Sequence, residues 1–145
     1  MLRDKSLVPL SQQHHNGLAL CVLTRRALAE DRGAENVERL ARRIVQRHEI
    51  ELTNHFAIEE EVLFPACPPE LVAPLLEEHR RLEALVERLR AEPSAEAVEE
   101  FIELLRGHIR REEEELFERV QRELPRETLE RLGRQIDARA IRVCL

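Results

Sequence analysis

A chain of 145 residues and 17.0 kDa has room for one core. Its 43% apolar and 36% charged residues, with four glycines and neither Trp nor Tyr, are the make-up of a helical protein rather than a disordered one. A formal net charge of -6 and so few aromatic rings offer a phosphate backbone neither a basic field nor stacking platforms, so no nucleic-acid partner is expected.

No stretch approaches the roughly 20 consecutive apolar residues of a membrane span, and the start MLRDKSLVPL has no apolar leader with a cleavage site. No membrane association is expected, and the chain is expected to be cytoplasmic. Its three cysteines, Cys21, Cys67 and Cys144, are odd in number and form no CxxC pair, which suits free thiols in a reducing compartment.

In chain order, Pro9 and Leu10 lead into Ser11, which can cap a first helix striped by Leu18, Cys21, Val22 and Leu28. That helix should break near Asp31, Arg32 and Gly33. A long second helix follows from about Ala34 to Phe64, with Ile44, Val45, Leu52, Val62 and Leu63 on one side, until PACPP ends it. A third covers about Glu70 to Ala91, with Leu75, Leu82, Leu85, Val86 and Leu89 inward and Pro74 either in the first turn or at a kink. Ser94 caps a fourth, in which Val98, Phe101, Ile102, Leu105, Ile109, Leu116 and Val120 keep helical spacing up to Pro125.

The last segment, Arg126 to Val143, has Leu129, Leu132 and Ile136 at the same spacing. Four amphipathic helices with short connections predict an all-α, antiparallel up-down-up-down four-helix bundle over residues 1–125. Residues 126–145 then form a C-terminal helical appendage of the same domain, packed on the bundle or pairing two copies into a homodimer.

The helices repeat in pairs. HFAIEEEVLF, from His55, and HIRREEEELF, from His108, align His for His, Glu for Glu and Leu-Phe for Leu-Phe. A weaker match sets HHNGL against EHRRL, and the apolar residues that follow select His15, rather than His14, as the counterpart of His79.

In each HxxxE the two side chains are four residues apart and so share one helix face, one turn apart. On a wheel of the second helix His55 and Glu59 fall in the buried arc, Glu60 at its edge and Glu61 outside. A carboxylate aimed into an apolar core is costly unless it is paired or binds a cation, and a metal removes that cost. A single HxxxE on an acidic helix has no such weight, because inward histidines are commonly held by hydrogen bonds. Two copies, with histidines from the two other helices, make the candidate ligand set His15, His55, Glu59, His79, His108 and Glu112. Imidazole and carboxylate without thiolate suit iron or manganese, and bundle cores of this composition hold paired metal ions.

With HFAIEEEVLFP, HIRREEEELF, EHRRLE and QHHNGL the chain resembles the hemerythrin HHE cation-binding family, from roughly Leu10 to Leu124. The resemblance implies an oxo- or hydroxo-bridged centre of two Fe ions, with Glu59 and Glu112 as carboxylate bridges among the six ligands. It departs from the oxygen-carrying members in having Glu83 where they carry a second third-helix histidine. Glu113 stands where they carry an aspartate and competes with Glu112, which the internal repeat favours. Four histidines and two glutamates resemble instead the hemerythrin-like domains of iron-sulfur repair proteins and iron sensors.

The function expected is reversible binding or sensing of oxygen, nitric oxide or iron. The alternative is an enzyme-like role in peroxide or nitric oxide reduction, or in iron delivery for cluster repair, with Glu83 as proton relay. A plain bundle with histidines satisfied by glutamates is the third possibility. His48 is expected beside the site rather than in it, Cys21 as a small core residue, and Cys67, in the PACPP turn, as the more plausible reactive thiol.

Overall fold

The structure, a computed structural model, describes residues 2–143, so Cys144 lies outside the described residues. These residues form five helices and, among them, no strand. The first helix, Val8–Glu30, follows a 3-10 turn at Lys5–Leu7 and begins before Ser11, not at it. Pro9 can occupy the first turn because its missing N–H would have had no partner there. Ser11 is thus within the helix, and its hydroxyl donates to Glu113 Oε2 at 2.8 Å instead of capping. At the other end Asn36 Nδ2 donates to the carbonyls of Ala27 and Asp31, which closes the turn into the next helix.

The second helix spans 34–66 but is not uniform. It is α-helical over Ala34–Arg47, widens to a π turn at His48–Leu52, returns to α at Thr53–Ile58, widens again at Glu59–Leu63 and closes in a 3-10 turn at Phe64–Ala66. The third helix is Pro69–Ala91, with Pro74 inside its second turn. The fourth is α-helical over Ala95–Arg111, π over Glu112–Leu116 and α over Phe117–Glu123. Its cap is the predicted one, Ser94 Oγ accepting from Ala97 N at 3.1 Å. The π turns at Glu59–Leu63 and Glu112–Leu116 fall at the same place in the two repeats.

The four long helices pack as a closed ring, the first and third each touching the second and fourth. Their apolar residues form two separate cores. One contains Leu20, Leu40, Ile44, Leu82, Val86, Phe101 and Leu105; the other contains Leu10, Ile58, Leu63, Leu116, Phe117, Leu129 and Ile136. The buried His and Glu side chains lie among them.

The fifth helix, Arg126–Arg139, buries Leu129, Leu132 and Ile136 against its own chain, chiefly beneath the Lys5–Leu7 turn. Arg126 forks onto Asp4 at 2.8 and 2.9 Å, which pins that turn from outside. A Cβ on Gly133 would stand 2.9 Å from Ser6 Cα, a backbone atom that cannot swing aside. Gly133→Ala should therefore cost about 1–3 kcal/mol of stability by overpacking, read as a lower thermal midpoint with the helical spectrum intact.

Candidate metal centre

Four helices send one imidazole each to a single buried cluster: His14, His55, His79 and His108 surround Glu59 and Glu112, and all six are buried. The geometry divides each carboxylate between two pairs of imidazoles. Glu59 Oε2 lies 3.3 Å from His55 Nε2 and Glu59 Oε1 lies 3.1 Å from His79 Nε2. Glu112 Oε1 lies 2.7 Å from His14 Nε2 and 3.7 Å from His55 Nε2, while its Oε2 lies 3.1 Å from His108 Nε2 and 3.9 Å from His79 Nε2. Two overlapping groups result, His14, His55, Glu59 and Glu112 on one side and Glu59, His79, His108 and Glu112 on the other. In each, one donor atom per residue lies within 4.8 Å of every other.

The first helix corrects the sequence reading. His15 is exposed and outside the cluster, and His14 takes the place assigned to it. The alignment that selected His15 used Leu18 and Val22 as inward positions, yet Val22 is 46% exposed. The inward positions after His14 are Gly17, Leu20 and Cys21, opposite Leu82, Leu85 and Val86 after His79. Gly17 hid the pattern because it has no side chain, and a Cβ there would sit 3.0 Å from Ile109 Cδ1.

The outer nitrogen of every imidazole is also held. His14 Nδ1 meets Glu113 Oε2 at 2.6 Å, and His79 Nδ1 meets Glu60 Oε2 at 2.8 Å. His108 Nδ1 meets Glu78 Oε1 at 2.8 Å, and His55 Nδ1 meets Gln13 Oε1 at 2.9 Å. Such partners fix the ring and leave Nε2 as the inward donor. The sequence reading set Glu60 at the edge of the buried arc and Glu113 as a rival of Glu112 but gave none of the four this role, although each is the chain neighbour of a cluster residue: Gln13 precedes His14, Glu78 precedes His79, Glu60 follows Glu59 and Glu113 follows Glu112. The π turns account for the last two, since the widened turn lets consecutive glutamates serve neighbouring helices. Phenyl rings complete the support. Phe117 stacks on His14 at 5.2 Å between centroids, and Phe56 and Phe64 stack on His79 at 4.0 and 5.6 Å.

The electrostatics are those of charges crowded without water. Burial and the facing Glu112 charge push Glu59 up to about 8. Burial would raise Glu112 too, but His108, His14 and His55 hold it well below the carboxylate range. Burial alone would lower His14 and His108; hydrogen bonds from Glu112 and Glu113 lift the first to about 9, and Glu112 and Glu78 lift the second to about 10. Burial and the His14 charge bring His55 down to about 4. His55 Nε2, Glu59 Oε2, His108 Nε2 and Glu112 Oε2 are buried with no hydrogen-bond partner, although all four point into the cluster. Buried polar atoms are rarely orphaned, and a cation on each side would satisfy them, one between His55 Nε2 and Glu59 Oε2 and one between His108 Nε2 and Glu112 Oε2.

A family model described as the hemerythrin HHE cation binding domain matches residues 8–120. The chain belongs to that family. No curated protein and no solved structure matched it. In this hemerythrin-family chain the match covers all four long helices and ends before the fifth.

Other singled-out residues lie apart from the centre. Glu83 is exposed and His48 half-buried, its ring nitrogens without hydrogen-bond partners and its ring edge-on to Phe56 at 6.4 Å. Cys67 is buried, donates to Leu63 O at 3.3 Å and is pushed up to about 11 by burial, so it is not a reactive thiol. Cys21 is likewise buried and raised to about 12. Among the described residues no helix is long and apolar enough to cross a membrane.

Proposed function

We propose that this domain holds two iron ions bridged by Glu59 and Glu112 and uses their remaining positions to bind a small ligand, oxygen or nitric oxide, reversibly. The observation that carries it is the division of the carboxylates: Glu112 turns one oxygen to His14 and His55 and the other to His108 and His79, and Glu59 turns one to His55 and the other to His79. One ion would use only half of that arrangement. Two imidazoles and two carboxylate oxygens supply four donors to each ion, fewer than the six that iron accepts, which leaves room for an exogenous ligand. When bound, the metal pair supplies reversible one-electron chemistry.

The protein's own contribution is to orient and to exclude water. Glu113, Gln13, Glu60 and Glu78 hold the Nδ1 atoms, the phenyl rings of Phe56, Phe64 and Phe117 pack on the imidazoles, and the carboxylates are closed from solvent.

Anaerobic loading with ferrous iron should give about two ions per chain, and admission of air should produce a near-ultraviolet oxo-bridge band. His14→Ala should lose most of that iron, whereas His15→Ala should retain it. Full iron in His14→Ala would overturn the assignment.

A further inference from the structure

We infer that the two halves of the centre are inequivalent, and that Gln13 makes the His14/His55 half the later filled and the more easily emptied. The inference rests on the paired-metal reading above. The chain's internal repeat makes Gln13 and Glu78 counterparts, each preceding a cluster histidine and each accepting from the Nδ1 of the histidine contributed by an HxxxE motif. The other two Nδ1 partners match across the repeat, Glu113 on His14 mirroring Glu60 on His79. Among the four Nδ1 partners the one change of chemistry is an amide in place of a carboxylate.

The orientation of that amide is settled by its surroundings. Gln13 Nε2 donates to Asn54 Oδ1 at 2.9 Å and to the Ile141 carbonyl at 3.1 Å, so Oε1 must face His55. A neutral carbonyl withdraws less of the Nδ1 proton than a carboxylate does, and His55 is therefore the weaker donor through Nε2. Glu78 is itself paired with Arg111, which donates from Nε to Oε1 at 3.3 Å and from a second guanidinium nitrogen to Oε2. Arg111 is 41% exposed, however, so water screens it, while the Glu78 side chain is only 12% exposed. The anion remains the stronger acceptor. Accessibility favours the same half, since a cavity of about 250 Å³ lined in part by Gln12, Gln13, His15, Asn16 and Glu51 lies on the outer side of the amide.

Outer hydrogen-bond partners of metal-ligating histidines change affinity by about 10–100-fold. Two equivalent halves would also load in two steps, because the first ion repels the second, so the wild-type isotherm alone does not decide. The variants do. Under anaerobic titration with Co(II) at fixed pH, followed by visible absorption, Glu78→Gln should weaken the first step about tenfold and leave the second unchanged. Gln13→Glu should strengthen the second step by a similar factor and leave the first nearly unchanged. If Gln13→Glu fails to fold, Glu78→Gln alone carries the test.

Two Co(II) per chain with both steps unmoved in Glu78→Gln would overturn the inequivalence and leave the paired-metal reading standing. A weakened second step in that variant would assign the halves in reverse and overturn it as well. A wild-type chain that takes up no Co(II) would overturn both readings together.

Discussion

Glu112→Gln should reduce bound metal from about two ions per chain to traces, and should abolish the thermal stabilisation that metal gives the wild type. The effect is large because one carboxylate serves both halves: Oε1 faces His14 and His55, and Oε2 faces His108 and His79. An amide there keeps the shape but removes the one negative charge that both ions share, and it turns an N–H toward imidazole nitrogens that must present lone pairs. For wild type, free metal at a thousandfold excess over the dissociation constant stabilises the fold by about 4 kcal/mol per site. At roughly 3 °C per kcal/mol for a domain of this size, two sites shift the midpoint by on the order of 20 °C. Calorimetry with and without chelator measures that difference. A Glu112→Gln protein that still gains such a shift would show that the carboxylate is not shared between ions.

The second large effect is a release of protons on loading. At pH 7 His14, His108 and Glu59 all retain a proton in the metal-free fold, at about 9, about 10 and about 8 respectively. Metal donors must be deprotonated, so two divalent ions should expel about three protons, and the overall loading constant should climb roughly a thousandfold per pH unit near neutrality. Calorimetric titration in buffers of different ionisation enthalpy counts them directly. Release of fewer than one proton would show that the cluster is already deprotonated.

The same groups give the metal-free protein a defined stability profile. All three hold protons more tightly folded than unfolded, so the stability they contribute is complete below their unfolded values and is lost as pH rises toward 8–10. His55 acts oppositely: it is lowered to about 4, and its contribution is lost as pH falls from 6.5 toward that value. Metal-bound protein should escape the alkaline loss, because the cation replaces the protons.

Whatever depends on neighbours along one helix could be read before the helices were packed. His55 with Glu59, and His108 with Glu112, are four residues apart, so any helix puts them on a common face whatever it packs against. Repetition of that pair, the Ser94 cap and the helix-ending prolines were readable for the same reason. Helical class and membership of a cation-binding family followed from these local patterns.

The choice between His14 and His15 needed the packed bundle. Adjacent helical residues point about 100° apart, and which one enters the core depends on the face that the first helix turns toward its partners. That helix has no clean apolar stripe: Gln13 and Thr24 are buried while Val22 and Leu23 are exposed. Its inward face includes Gly17, where a Cβ would stand 3.0 Å from Ile109 Cδ1, a close approach that hydropathy does not register. The π turns were equally silent, since an extra residue in a turn leaves composition and approximate period unchanged. They allow Glu60 and Glu113 to reach histidines on other helices, and those contacts are long-range. Gln13 stands for both lessons. Its position beside His14 is local, but its hold on His55 exists only where two distant helices and the residues after the fifth meet.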